Sequence, residues 1–320
     1  CVGRLNPPKP FAGLRENFDV LVVAISVAMA FRAYFYQPFK IPTGSMQPTL
    51  YGIHSEARAP SEATLLDRQP MKFAKWLITG ESFKTVRAKA SGTVNFMPSD
   101  SSKKPGYMPV VVAGVPHYVP NDAVEADAYR RPVRLKGGVA NGASVKAGEV
   151  LWSGVVISGD FVFVNRWKWN FAHPTRGEVM VFSTTGIQAL MQGTHYIKRM
   201  TGLPNETLQI KAPHLLVNGE AVTRPLRIGQ IARRETVWPG HPAYAGFNPS
   251  GTRQVYLPGQ SLAGESDRVT LKADEYYAMG DNSFNSFDSR YWGPVPERNL
   301  LGPATVVYWP FTSPRFGWIR

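Results

Sequence analysis

The longest hydrophobic run of the chain lies near its N-terminus, at residues 18–36. Its polar residues are Asp19, Ser26 and Arg32. A bilayer-spanning helix needs roughly 20 residues of this kind, and an arginine near its end can extend to the headgroups. The pattern therefore predicts a transmembrane helix at 18–37, behind a tail at 1–17. The alternative is a cleaved secretory signal, but no small-residue cleavage site follows the run.

The charges around this run predict its orientation. Arg4, Lys9 and Arg15 precede it, against the single acid Glu16. The positive-inside rule then places the tail in the cytoplasm and everything after Gln37 outside. No later segment is long and apolar enough to span a second time, so we expect a single-pass protein.

Past the run, the hydrophobic pattern changes to short stretches of alternating or β-branched residues separated by glycine and proline. Such stretches are typical of strands, and the pair Asn218–Gly219 is typical of a hairpin turn. No later segment has a helical period of comparable strength. The pattern predicts a mostly β body with strands at 155–157, 161–164, 179–182, 207–210, 215–217, 276–278 and 305–309.

Composition and charge narrow the class of partner. With 43% apolar and 18% charged residues, the 320-residue chain can bury a core and has room for two domains. The net charge of +13 favours anionic surfaces. Neither a zinc-finger pattern nor a basic helix with interleaved aromatics is present, so we expect a lipid surface and no nucleic acid. The single cysteine, Cys1, excludes an internal disulfide and a cysteine-based metal site; we expect no metal and no cofactor.

A serine between two prolines follows the hydrophobic run. Pro42 and Pro48 fix their own φ and bias the residue before them toward extended geometry. Ser45, between Gly44 and Met46, therefore lies in a stiff loop that can present a hydroxyl at the mouth of a cleft. Such clusters are also typical of ordinary turns, so the loop alone leaves both interpretations open.

Three further segments follow the loop at 41–50 along the chain, at 176–182, 195–206 and 279–296. Together the four resemble the boxes of type I signal peptidases, bacterial membrane-bound proteases with a serine-lysine dyad. The resemblance covers the N-terminal anchor and most of the chain from Gly159 onward. It implies a signal-peptidase-like β catalytic core behind an N-terminal transmembrane helix.

The candidate catalytic residues rest on chemistry and on this resemblance. A serine hydroxyl needs a base, and His195 lies three residues before Lys198, but no G-x-S-x-G elbow surrounds Ser45. A lysine can act as the base only if it is neutral near pH 7, which burial achieves by lowering its pKa. Local sequence favours a solvated basic pair at Lys198–Arg199. The resemblance instead implies Ser45 as nucleophile and Lys198 as general base.

The resemblance implies further roles. Thr43 and the Ser45 backbone N–H would form the oxyanion hole, and Ser286 would orient the lysine amine. Structural support is implied for Gly280, Asp281, Asn282, Asp288 and Arg290. A shallow pocket for small side chains is expected, lined by Ile41, Pro42, Met46, Leu50, Tyr196 and Ile197. One departure is the pair Ser283–Phe284, where the family often has Arg-Asp.

Two excursions interrupt the core. The serine loop of the family runs directly into a Gly-Asp strand, whereas here the matching 158–164 follows after roughly a hundred residues. Within that insertion, 86–94 and 142–151 resemble the half-motifs of biotinyl/lipoyl-type barrel-sandwich domains. They lack the Met-Lys-Met context of a carrier, so we expect a structural or docking module. The expected units are a core at 38–50, 157–211 and 273–320, an inserted β module at 51–156 and an accessory β-ribbon domain at 212–272.

The sequence thus predicts a membrane-bound serine endopeptidase that cleaves signal peptides from exported pre-proteins after small residues. It would act at the outer, periplasmic face of a bacterial inner membrane. Its expected partners are those signal peptides, the lipid bilayer and, through the insertion, an export-machinery protein. Two alternatives stay open: a specialised peptidase for a dedicated substrate such as a conjugation pilin, and a non-catalytic membrane adaptor. Aromatic residues expected partly at the interface and partly in the core are Phe39, Trp292, Trp309 and Phe311.

Overall fold

A computed structural model describes residues 11–98, 104–126, 131–251 and 260–319, and strands dominate these ranges, which confirms the expected mostly β chain. The helices are α1 (Ala12–Tyr34), α2 (Met71–Thr79), α3 (Leu226–Ala232) and α4 (Ser289–Trp292). The strands are β1 (Tyr36–Lys40), β2 (His54–Ala57), β3 (Glu81–Arg87), β4 (Gly92–Phe96), β5 (Tyr107–Val112), β6 (Val115–Pro120), β7 (Val124–Ala126), β8 (Pro132–Leu135), β9 (Ser144–Val145), β10 (Val150–Ile157), β11 (Phe161–Asn165), β12 (Val179–Ser183), β13 (His195–Gly202), β14 (Thr207–Lys211), β15 (His214–Val217), β16 (Glu220–Ala221), β17 (Arg268–Thr270), β18 (Glu275–Met279), β19 (Val295–Pro296), β20 (Leu300–Trp309) and β21 (Gly317–Trp318).

Among the described residues, one helix is long and apolar enough to cross a membrane, and it covers Gly13–Tyr34 within α1. It ends earlier than the predicted 18–37, because Tyr36 and Gln37 already belong to β1 and pair with β11. Pro38 explains this limit, since a proline disfavours helical geometry in the residue before it. The chain therefore passes from the apolar helix directly into the main sheet.

The main sheet has eight antiparallel strands in the order β1-β11-β20-β12-β13-β18-β19, with β21 paired to β20. Its central strand β12 is buried on both faces. Because strand side chains alternate, Val179 and Val181 enter the cluster beneath the serine loop, while Met180 and Phe182 enter a second cluster with Trp292. Trp292, which was a candidate for the membrane interface, is therefore a core residue.

The inserted segment folds around its own hydrophobic core. Its two half-motifs lie side by side, because β3 pairs with β10 and β4 pairs with β9. Val94, Leu151 and Trp152 are fully buried in the cluster that they form. The chain enters at His54 and leaves at Ile157, which are neighbours across β2 and β10. The two ends of the module are thus adjacent, close to the expected limits of 51 and 156.

Helices also form past residue 36, although no segment there has a helical period as strong as that of the N-terminal run. Helix α2 lies inside the inserted module, between its first and second strands. Its inward positions include Lys72 and Lys75, whereas Met71, Leu77 and Ile78 are exposed. A short helix with this inverted polarity does not produce the pattern of a core-facing helix.

The accessory domain combines the sheet β16-β15-β14-β17 with α3. It begins at Thr207 and not at the expected 212, because β14 pairs with β15 and β17 and with no strand of the main sheet. Its core includes Tyr277 and Met279 of β18. The domain therefore packs against the strand that leads into Gly280, Asp281 and Asn282, called here the Gly-Asp-Asn box.

Candidate active site

The serine loop is a single tight turn over the main sheet. Gly44–Met46 form one turn of 3₁₀ helix between extended residues, as the two flanking prolines favour. Met46 is fully buried and fixes the turn to the core below it. The side chain of Ser45 is consequently held close to the sheet, with 7% of the residue exposed.

Lys198 lies in the middle of β13, between β12 and β18. Only 5% of the residue is exposed. Its Nζ lies 2.8 Å from Ser45 Oγ and 3.0 Å from the carbonyl oxygen of Ile197. Two residues 153 positions apart in the chain thus form one hydrogen-bonded pair.

The surroundings of this amine favour its neutral form. Burial lowers the pKa of Lys198 from 10.5 to about 8, since desolvation disfavours the ammonium. Asp288 raises that pKa, Arg290 lowers it, and Asp281 raises it, all less than burial lowers it. With this pKa about a tenth of the lysine is neutral at pH 7, far more than for a free lysine with its pKa of about 10.4.

The Gly-Asp-Asn box lies directly against the serine turn. A Cβ on Gly280 would come within 2.5 Å of the Ser45 carbonyl oxygen and within 2.2 Å of Ser286 Oγ, so only glycine fits here. Asn282 donates from its backbone N–H to that same carbonyl, and from Nδ2 to the carbonyl of Gly44. The box therefore fixes the backbone on which the serine is carried.

Ser286 is buried beside this box, and its hydroxyl has no hydrogen-bond partner among the residues that the structure describes. The expected bond from Ser286 to the Lys198 amine is not made. The amine instead contacts Ser45 Oγ and the Ile197 carbonyl. A buried hydroxyl normally has a hydrogen-bond partner, and the role of Ser286 in orienting the lysine amine stays a prediction.

Two buried ion pairs support the site. Asp288 and Arg290 are both fully buried, 2.8 Å apart, and Asp288 also accepts the backbone N–H of Gly280. Asp281 accepts two hydrogen bonds from Arg199, at 2.7 and 2.6 Å. Each carboxylate therefore has a guanidinium partner inside the core, which is the condition for burying such charges.

The expected pocket residues divide into two groups. Met46 and Leu50 are fully buried and Ile41 nearly so, and all three belong to the core beneath the turn. The 3₁₀ turn directs Met46 inward, so these three side chains lie below the surface, and their place at the floor of a substrate pocket stays a prediction. The partly exposed members of the set are Pro42, Tyr196 and Ile197, and Thr43 of the expected oxyanion hole is exposed.

His195, the competing base, lies away from the serine. It is exposed at the start of β13, and its ring packs edge-on against Phe39 with 5.4 Å between ring centroids. An offset of three residues along a strand directs its side chain to the face opposite that of Lys198. The structure brings Lys198, and not His195, to Ser45.

Sequence reasoning missed part of the network around Asp281. Thr49 donates to Asp281 and lies 2.7 Å from the hydroxyl of Tyr244, which comes from the accessory domain. Arg199 is not the solvated residue that local sequence favours but is almost fully buried. Arg199 directly follows Lys198 in the segment 195–206 that resembles the family, so the sequence did contain a signal for Arg199. Nothing in the sequence connects Tyr244 to the site.

A second missed network ties the C-terminal region to the serine loop. Arg315 donates two hydrogen bonds to the buried carboxylate of Asp160, at 2.7 and 3.0 Å. Asp160 also accepts the backbone N–H of Tyr51, and the Arg315 guanidinium lies over the Tyr51 ring. Ser283 occupies a position where the family often has arginine. Its hydroxyl donates to the Gly246 carbonyl of the accessory domain.

Within the described ranges, no group of three or more His, Cys, Asp or Glu side chains is placed to hold a metal ion. The chemical groups at the site are those of the protein itself: a hydroxyl, a buried amine and a backbone turn. This arrangement can activate a serine for attack on a carbonyl, which is the chemistry of a serine hydrolase.

Comparison with known proteins gives the same class. The family model described as signal peptidase, peptidase S26, matches residues 153–309. A signal peptidase I of Leptolyngbya laminosa is 32% identical over 156 residues, covering 47% of this chain and 61% of the relative. Signal peptidase I of Pseudomonas aeruginosa is 30% identical, covering 49% and 61%. Signal peptidase I P of Bacillus subtilis subsp. natto is 27% identical, covering 50% and 73%.

The matched region spans about three fifths of the first of these relatives. A solved signal peptidase I from Enterococcus faecalis is 24% identical, covers 42% of this chain and 98% of its own, and has a TM-score of 0.28. Over about half of its length the chain is thus similar to the signal peptidase class of serine peptidases. The family model that it matches is that of peptidase S26, and the relatives named above are bacterial type I signal peptidases.

Proposed function

We propose that this protein is a membrane-anchored endopeptidase with a serine-lysine dyad that removes signal peptides from exported pre-proteins. The observation that carries the proposal is the 2.8 Å contact between the buried Lys198 amine and Ser45 Oγ. A lysine buried to this extent, with its pKa lowered to about 8, is suited to accept a proton from the serine. The similarity of residues 153–309 to the signal peptidase family makes signal peptides the expected substrate class.

The proposed reaction has two steps. Ser45 Oγ attacks the scissile carbonyl while the neutral Lys198 amine takes the hydroxyl proton. Lys198 then gives that proton to the departing amine, which leaves an ester between Ser45 and the signal peptide. In the second step the same amine takes a proton from a water molecule as that water attacks the ester carbonyl. The bond between Ser45 Oγ and the peptide then breaks, and Lys198 gives its proton to Ser45 Oγ, which regenerates the hydroxyl and the neutral amine.

The charge that develops on the carbonyl oxygen needs donors near the serine. The Ser45 backbone N–H is one candidate, and the Thr43 hydroxyl is the other, as the family resemblance implies. Removing one such donor typically costs about 10²–10³ in rate. The substrate would lie extended along a strand edge, with the small residues before the cut near Pro42, Tyr196 and Ile197.

The cleavage site is proposed to face the outer side of the membrane. The span Gly13–Tyr34 supports a single crossing by its length and composition. Basic residues before it favour a cytoplasmic N-terminus, which leaves the catalytic domain on the other side. Signal peptides reach that side as the pre-protein is exported, so anchor and substrate meet at one membrane surface.

The direct test is cleavage of a purified pre-protein in detergent by the wild-type chain and by Ser45→Ala. We expect cleavage after a small residue by the wild type and none by the variant, with the cut position read by mass spectrometry. Cleavage by Ser45→Ala at the wild-type rate would reject the proposal. Wild-type inactivity on varied pre-proteins would instead favour the adaptor alternative.

A specialised peptidase with one dedicated substrate is the second candidate. The separate core of the inserted module favours it, because a self-contained domain beside the serine loop offers a surface for selecting one pre-protein. Counting the pre-proteins that accumulate when the chain is depleted from its cell distinguishes the two. Many uncleaved pre-proteins indicate a general peptidase, and a single one indicates the specialised form.

A further inference from the structure

The inserted module carries a helix whose polarity is inverted. The positions of α2 that face the protein are Lys72, Lys75, Trp76 and Thr79, spaced as one helical stripe. Lys72 Nζ donates to the carbonyl of Phe83, and Lys75 Nζ contacts the carboxylate of Asp67 at 2.9 Å. The two lysines are therefore hydrogen-bonded to the protein, in the place where a soluble helix normally has its apolar stripe.

The opposite face of α2 is apolar and uncovered. The turn that precedes the helix adds Leu65 and Leu66, of which 72% and 50% is exposed. Contiguous exposed apolar surface of this kind marks a site of contact with protein or membrane. The exposed residues on the helix are Met71, Phe73, Ala74, Leu77 and Ile78.

α2 is fixed rigidly to the catalytic sheet. The Trp309 ring nitrogen on β20 donates to the Leu77 carbonyl at 2.7 Å, and the Trp309 and Trp76 rings lie 5.3 Å apart. The helix ends at Gly80, where φ is +73° and a Cβ would lie 2.6 Å from Pro310. The apolar face is therefore presented by a docked helix and not by a loose arm.

A continuous row of aromatic rings connects α2 with the membrane-spanning helix. The row runs across the outer face of β1, β11 and β20, from Tyr36 through Phe163 and Tyr308 to Phe161 and Trp309. Except for the buried Trp309, these rings are half-buried. Aromatic side chains with a polar edge are enriched where protein meets the bilayer surface. The exposed face of α2 thus continues a surface that begins at the end of α1.

The distance and the charges suit a lipid surface. Tyr36 and Lys40 are the two ends of β1 and lie four strand positions, roughly 13 Å, apart. This short distance from the end of α1 keeps α2 near the outer leaflet. Arg68 is exposed beside α2. Lys40 and Lys84 lie close together near the helix, and burial together with Lys84 lowers the pKa of the Lys40 amine. Basic groups at the rim of an apolar face complement anionic headgroups.

We propose that Leu65, Leu66 and the exposed face of α2 insert into the outer leaflet, so that the inserted module is a second membrane contact beside α1. This inference rests on the proposed anchoring by α1 and goes beyond the proposed peptidase activity. The helix lies in the interfacial plane, with its apolar side chains about 5–10 Å into the headgroup and acyl boundary. The inserted module then holds the main sheet at the bilayer surface through α2.

The test places an environment-sensitive fluorophore on single cysteines of the full chain in vesicles of phosphatidylethanolamine and phosphatidylglycerol with brominated acyl chains. Cys1→Ser and Ser45→Ala form the background, so the readout does not depend on peptidase activity. Leu77→Cys reports on α2, Lys146→Cys on a polar surface of the same module, and Val23→Cys on α1. We expect blue-shifted, bromine-quenched emission at 77 and 23, and neither effect at 146.

The outcomes separate the two proposals. Quenching at 23 without quenching at 77 overturns the lipid contact and leaves the anchor intact. Absence of quenching at both positions rejects the anchoring and with it this inference. A blue shift at 77 without quenching, lost when the protein is diluted in lipid, indicates a second copy on this face and also overturns the proposal.

Discussion

The catalytic core and the inserted module of this protein distribute polarity in opposite ways. The core buries charge, with Lys198, Arg199, Asp281 and Asp288 all nearly or fully inaccessible to water. The described part of the module keeps its charged side chains partly or fully exposed and has an interior built almost wholly from apolar side chains. Its helix even presents an apolar face to the outside.

The difference shows which part of the chain is organised for chemistry. Burying a lysine lowers its pKa toward neutrality, but the charge must be balanced by paired groups nearby. Such an arrangement costs stability and is expected where it produces a reactive amine. Among the described residues of the module no lysine is buried, and its apolar interior supports a role in docking.

The largest effect is expected from the dyad. Ser45→Ala, Lys198→Ala and the double variant should each lose activity by on the order of 10⁴–10⁶, because groups that act as a unit are not additive. The matched control is His195→Ala, which removes a nearby titratable side chain that does not contact the serine. The measurement is kcat/KM on a peptide that spans a cleavage site. Additive losses in the double variant, or loss of activity in His195→Ala alone, would contradict the assignment.

The buried ion pair of the core should matter far more than an exposed pair of the module. Asp281→Ala leaves Arg199 buried without its partner, so the free energy of unfolding should fall by about 3–5 kcal/mol. Glu125→Ala removes the exposed pair with Arg134 and should change it by less than about 1 kcal/mol. The measurement is denaturant unfolding of the full chain in detergent.

A double variant makes this comparison sharper. Adding Arg199→Leu to Asp281→Ala removes the unpaired charge and should recover part of the lost stability. Equal free energies of unfolding for the Asp281→Ala and Glu125→Ala variants would contradict a stabilising role of the buried ion pair.

The pH dependence of cleavage should follow the Lys198 amine. The reaction needs the neutral amine, and the protonated form accumulates below its pKa of about 8. The rate should therefore rise with pH up to about 8 and fall about tenfold per unit below it. The measurement is kcat/KM from pH 5 to 10 under conditions where the chain stays folded. A rate that continues to rise to about 10.4, the value of a free lysine, would contradict the buried base.

The smallest effect concerns a close contact between the module and the serine loop at Gly106. At Gly106, φ is +82° and a Cβ would lie 2.6 Å from the Pro42 carbonyl oxygen, so Gly106→Ala should displace the loop and reduce kcat. Gly114→Ala is the matched control, because φ is +79° and nothing lies within 4 Å. Both variants carry the same backbone strain, about 1 kcal/mol. Equal activity in the two variants would show that the module does not influence the loop.

Local pattern predicted much of this molecule. The apolar run at 18–36 and the short β-branched stretches contain enough information for an anchor and strands, because each depends on near neighbours in the chain. The four segments that resemble the family likewise predicted Ser45, Lys198 and the Gly280–Asn282 segment as parts of the site. The limits of the units were less accurate, since β14 pairs with β15 and β17 and not with the main sheet.

What the sequence by itself determined was therefore the mostly β class, the apolar helix and the similarity to type I signal peptidases. Tertiary structure alone decided that Arg199 is buried and paired, that Tyr244 of the accessory domain reaches Thr49, and that Met46 belongs to the core. It also decided that α2 turns its lysines inward. The physical reason is that burial, and with it the pKa of a side chain, depends on packing between segments distant along the chain, which a local pattern does not contain.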